Sequence, residues 1–168
     1  MIFISAGHSA ADPGAVAFGR KEADIAVEFR NMVSFYLTQA RVPHGMDGKG
    51  TENLPLRDAI RLVGKNRPAV EFHCNAGPAR ASGVETLSAP KDLALGQRLC
   101  AVIAGVFDIP NRGAKPEDSG QHHRLAFVQA GGIIVELFFI TSPKDLGAYD
   151  AKKWLAARAV ADVLASYP

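Results

Sequence analysis

Residues 132–138 read GIIVELF, a near-continuous apolar run broken by one carboxylate, Glu136. Such a run fits a strand covered on both faces, the central position of a parallel sheet. That strand needs helices on either side, and the flanking sequence supplies them. Ile2 to Ala6 and Ala69 to Cys74 repeat the buried-strand pattern, and Gly83 to Ser88 is a shorter version. From Glu22 to Ala40, the residues Ala26, Phe29, Val33, Tyr36, Leu37 and Ala40 recur at three- and four-residue steps, which predicts an amphipathic helix with Glu22 in its first turn. Asn53 is the expected N-cap of a second helix, with Leu56, Ile60 and Val63 inward and Gly64 as its stop. Lys91 to Phe107 and Tyr149 to Ser166 are the third and last expected helices. Asn111 to His123 reads as a polar loop, and Arg124 to Ala130 as a further strand. The alternation predicts an α/β fold: a single-layer, twisted, mostly parallel β-sheet with helices on both faces, filling residues 1–168 as one domain.

Composition narrows the function classes. The 168 residues are 48% hydrophobic and 21% charged, enough to bury a core without help from disulfides or metal. Nineteen Lys and Arg against seventeen Asp and Glu leave a net charge of +2, too small to argue for a nucleic-acid partner. The longest runs without a formal charge are 11 residues, Met1 to Ala11 and Leu125 to Val135. Both fall short of the ~18 needed to cross a bilayer, so no stable membrane insertion is expected. The opening MIFISAGHSA lacks the basic n-region of a secretory signal, so synthesis in a cytoplasm without a signal peptide is expected. Cys74 and Cys100 have no ligand-type spacing and read as buried free thiols.

The informative residues are polar groups at the ends of apolar strands, where burial must be compensated. His8 follows the first strand, His73 sits near the end of another, and Glu136 interrupts the central one. Parallel strands deliver such ends to one edge of the sheet, and Glu22, opening a helix at that rim, can join them. Two imidazoles and a carboxylate with an open fourth position form a known catalytic zinc arrangement. Satisfied structural polar groups fit the same wide spacing equally well, and the residues alone leave both readings open. Asn75 after its strand is a candidate ligand-orienting or substrate residue and equally a turn former. Glu85 is a candidate neighbour of the site, with a structural role as its alternative. His122 and His123 form a loop pair in which solvation competes with substrate contact, and His44 reads as a surface residue.

The segment GHSAADPGAVAFGRKE, residues 7–22, resembles the opening signature of the zinc-dependent N-acetylmuramoyl-L-alanine amidases of the amidase_3 type. LPLRDAIRLV resembles that family's L-x-x-R helix, FHCNAG its S-x-H-x-N-A segment, GVET the strand that follows, and IIVELFFITSPKD its V-E-x-G-F-x-x-N-x-x-D segment. The segments keep the family's order over essentially the whole chain. The resemblance implies that His8, Glu22 and His73 hold one Zn2+ per chain and that Glu136 is the catalytic glutamate. It also implies peptidoglycan as substrate, cleaved between N-acetylmuramic acid and L-alanine. Ser5 and Ser9 depart from the usual Asp and Gly, Cys74 stands where a small residue is common, and Leu137-Phe138 replaces a position that often includes Gly. A lone domain of this kind is similar to single-domain phage endolysins, which implies a monomer acting on periplasmic peptidoglycan after a holin opens the membrane. A zinc peptidase or carboxypeptidase cutting inside the stem, and a non-catalytic peptidoglycan-binding module, are the alternatives.

Overall fold

The computed structural model describes residues 1–64, 67–78, 80–119 and 124–167. In chain order the strands are β1 (Ile2–Ala6), β2 (Val16–Ala17), β3 (Arg20–Lys21), β4 (His44–Met46), β5 (Ala69–Asn75), β6 (Val84–Ser88), β7 (Asn111–Pro116) and β8 (Ile133–Phe139). The helices are α1 (Glu22–Gln39), α2 (Leu56–Val63), α3 (Leu93–Phe107), α4 (Ala126–Gln129) and α5 (Pro143–Ala165). Six strands form one sheet in the order β4-β1-β5-β8-β6-β7, and β2 and β3 make a small separate hairpin. Every neighbouring pair in the large sheet is parallel except β6 with β8. The expected twisted, mostly parallel α/β sheet with helices on both faces is the observed fold.

The two faces follow from the period of two along each strand. Ile4, Val70, Phe72, Val135 and Leu137 point to the side covered by α1, α3 and α5, where they join the larger core. Phe3, Ala69 and Ile134 point to the other side, packed with Val63 of α2 and with Phe127 and Val128 of α4. Alternate positions farther along these strands, Glu71, His73 and Glu136, extend beyond the thinner layer. This end of the sheet is thereby left uncovered by a long helix on that side.

Several local expectations differ from the structure. Asn111–Pro116 is an edge strand paired only with β6, not a loop: NRGAKP has no apolar alternation because none of its side chains is buried. His44–Met46 is likewise a short edge strand beside β1. His44 is half-buried there and fixed in place rather than free in solvent, its ring bonded to Ser34 Oγ at 2.8 Å and the Val42 carbonyl at 2.9 Å. The region Arg124 to Ala130 contains the helical turn α4, whose Phe127 and Val128 cover the sheet rather than join it. Pro55, not Asn53, occupies the N-cap of α2, and its carbonyl accepts from Asp58 and Ala59. The last helix starts at Pro143, ahead of the expected Tyr149, because Ser142 caps it by accepting from the Asp145 N–H. Cys74 and Cys100 are buried and free, as expected.

Candidate metal centre

Three chain segments bring His8, Glu22 and His73 together. His8 follows β1 in a left-handed backbone conformation, φ 66°, which a non-glycine residue holds only under constraint. The constraint is Asn53, whose amide donates to the carbonyls of Ala6, Gly7 and His8 at 3.2, 3.3 and 2.9 Å. Glu22 is the first residue of α1, and His73 lies on β5 beside Glu136 in the β5–β8 register. Gly7 permits the arrangement, since a Cβ there would lie 2.2 Å from Cε1 of His73.

The donor atoms face one another. His8 Nε2 lies 2.8 Å from Glu22 Oε1, and His73 Nδ1 lies 3.0 Å from the same oxygen. One ligand atom from each residue falls within 4.8 Å of the others. Each ring's second nitrogen meets another carboxylate: His8 Nδ1 with Asp12 Oδ2 at 3.0 Å, and His73 Nε2 with Glu71 Oε1 at 3.0 Å. Carboxylates behind histidines fix ring orientation and tautomer in metal sites. Behind Glu71 the chain continues through Ser5 Oγ (3.1 Å) to Asp47, which pairs with the fully buried Arg30 at 2.7 Å.

Electrostatics agree with the contacts. Burial would raise the Glu22 carboxyl, but hydrogen bonds from His73 and His8 hold it far below the usual carboxylate range. The hydrogen bond to Glu22 raises His8 against the opposing effect of burial. Burial would lower His73, yet Glu22 and Glu71 hold it well above its ordinary value. Glu136 differs: burial pushes it up to about 7, and its Oε2 is buried without a hydrogen-bond partner among the described residues. A carboxyl titrating near neutrality beside a ligand cluster is equipped to accept and return a proton.

Of the remaining candidates, Asn75 ends the strand that carries His73, and Glu85 lies on the opposite flank of Glu136. Glu85 on β6 is the register partner of Glu136. Its Oε1 accepts from Asn75 Nδ2 at 2.9 Å, and its Oε2 accepts from Arg112 Nε at 2.6 Å and Lys115 Nζ at 2.7 Å. Asn75 also accepts from the Ala76 N–H and so ends β5 while tying it to β6. His123 lies outside the described residues, as does His122. Sequence reasoning missed Asp12, Glu71, Arg112 and Lys115. Only Glu71 carried a signal, as a second charge on the face of His73 in an otherwise apolar strand.

A family model described as Amidase_3, N-acetylmuramoyl-L-alanine amidase, matches residues 2–166. A solved structure from Neisseria meningitidis, described as an N-acetylmuramoyl-L-alanine amidase, is 42% identical with a TM-score of 0.89, covering 98% of this chain and 93% of that one. The N-acetylmuramoyl-L-alanine amidase AmiC2 of Nostoc punctiforme shares the fold at 22% identity and a TM-score of 0.82, over 97% of this chain and 93% of its own. An uncharacterised Bacillus subtilis protein, YqiI, is 25% identical over 99% of this chain and 84% of its own length.

Proposed function

Because the chain belongs to the Amidase_3 family of N-acetylmuramoyl-L-alanine amidases, we propose that it hydrolyses the amide joining N-acetylmuramic acid to L-alanine in peptidoglycan, with one zinc ion held by His8, Glu22 and His73 and with Glu136 as the proton carrier. The observation that carries this reading is the convergence of those donors beside a buried, unpartnered carboxyl. Two imidazole nitrogens and one carboxylate, with both rings backed by carboxylates, fit a catalytic zinc site in donor type and number. When bound, such an ion polarises a carbonyl and lowers the pKa of a water from 15.7 to about 7.

The chain's own residues supply the rest. His8 and His73 keep the protons that face Asp12 and Glu71 and offer Nε2 and Nδ1 inward. Glu136 takes a proton from the attacking water and returns it to the leaving nitrogen as the C–N bond breaks. The products are a carboxylate on muramic acid and a free amine on L-alanine. Glu136→Ala is expected to leave fold and zinc content intact and to abolish release of that amine, followed by mass spectrometry of digested muropeptides. An active, zinc-replete variant overturns the role of Glu136, and stoichiometric zinc in His73→Ala overturns the ligand assignment. Fragments cut within the stem, with the muramoyl amide intact, identify the peptidase alternative. A place in host lysis, with a holin giving access to the wall, extends the same reading; an adjacent holin frame supports it, and a sporulation or wall-recycling neighbourhood overturns it.

A further inference from the structure

Two cations share one oxygen on the flank of Glu136 away from the histidines. Arg112 Nε and Lys115 Nζ both donate to Glu85 Oε2, which leaves a net positive charge at the outer edge of the sheet. The arrangement is built: Arg112 lies over the Phe139 ring at 5.0 Å, and Asn75 holds the other Glu85 oxygen. Among the described residues, the two terminal nitrogens of Arg112 have no hydrogen-bond partner, and Lys115 uses one of its three donors. Both side chains reach solvent, at 38% and 30% exposure, so the surplus charge is available to a ligand.

The order of groups across the sheet gives the ligand a direction. His73 on β5, Glu136 on β8 and Glu85 on β6 occupy one register row, and β7 lies beyond. If Glu136 protonates the leaving nitrogen, a peptide running on from that nitrogen away from His73 crosses β6 toward β7. Strands are spaced about 4.8 Å apart, so the cations bound to Glu85 stand roughly one to two strand widths from Glu136. Two extended residues reach about 7 Å, the same span. Resting on the function proposed above, we propose that Arg112 and Lys115 form a subsite for a carboxylate on the residue that follows L-alanine in the stem.

The test uses two soluble muramoyl peptides that differ only in a free carboxylate or its carboxamide at that residue. The unmodified enzyme is expected to favour the carboxylate form. Arg112→Gln and Lys115→Gln should each lower kcat/KM for that form about tenfold through KM, the size of one charge-assisted hydrogen bond, and lower it clearly less for the carboxamide form, whose oxygen accepts only a neutral-acceptor hydrogen bond. Each single variant retains one cation on Glu85, and Arg112→Lys should restore part of the preference. Calorimetric binding of the two corresponding amine-terminated stem peptides gives a readout independent of cleavage, with the same preference expected. Equal losses on both substrates, or equal binding of both peptides by the unmodified protein, overturn the subsite. If the unmodified, zinc-loaded protein cleaves neither substrate, the amidase reading fails while the binding comparison still decides the subsite.

Discussion

His73 is placed to hold a proton on each ring nitrogen. Both its nitrogens face carboxylates, Glu22 and Glu71, and together these keep the ring protonated well above the usual imidazole range. His8, raised by Glu22 and Asp12, behaves alike. On the metal assignment proposed above, protons and zinc would compete for the same inward nitrogens, and zinc affinity would fall as pH falls. We expect one to two protons released per zinc bound near neutral pH, measured by calorimetry in buffers of different ionisation enthalpy. Release of none would show that the rings are already neutral and contradict the assignment of the contacts. Glu22 contributes no proton to this count, because its carboxyl stays ionised in the same range.

At the scale of the element, the β1–β5 pair sets the site. Gly7 leaves β1 where the His73 ring crosses above it, and the Gly7 N–H donates to the Phe72 carbonyl at 2.8 Å. Gly7→Ala is expected to push the imidazole out of line and to lower zinc affinity at least tenfold with little change in far-UV circular dichroism; unchanged affinity would mean the ring has room to move. Pairing explains what could be read from sequence and what could not. β1, β5 and β8 were legible because strands covered on both faces must be apolar, so His73 and Glu136 stood out as exceptions. β4 and β7 were not, since no side chain of either edge strand is buried and NRGAKP carries no period-two signal. Asp12 reaches His8 through a tight turn, Ser9 bridged to Asp12, and no apolar pattern marks such a turn. Asn53 looked like a helix cap for the same chemical reason that it suits its actual task, since its side-chain amide bonds backbone groups.

Across the whole molecule, the cost of the site appears in its pH dependence. Glu136 has a folded pKa raised from 4.5 to about 7, so its neutral form favours the fold, and that contribution is lost as pH rises through about 7. The histidines, also raised, contribute below their usual value of 6.5 and lose that contribution as pH rises through their folded values. Glu22 acts in the opposite direction, its contribution being present above its ordinary value of 4.5 and lost as pH falls below it. The chelated protein is therefore expected to lose thermal stability as pH rises from about 4.5 through about 7, and the zinc-loaded protein to lose less. Parallel melting curves check this, and a chelated midpoint that rises over that window contradicts it. The two-layer covering of the sheet was legible, as was the rim where His8, Glu22 and His73 gather. The cation pair on β7 was not, because it depends on which side chains meet across strands.

Ser5 and Glu71 are register partners on β1 and β5 and share a hydrogen bond. The amidase_3 pattern has an acid where Ser5 stands and a serine where Glu71 stands, so this chain carries the hydroxyl and the carboxylate in exchanged places. Each change alone is a poor intermediate. Ser5→Asp would crowd a third acid against Asp47 and Glu71, and Glu71→Ser would strip His73 of its support. The two positions are thus epistatic: each single variant should weaken zinc binding, and the double variant Ser5→Asp/Glu71→Ser should recover it. Additive losses would mean that the two positions act independently. On this expectation, the two strands tolerate exchange of the pair together and not of one member at a time.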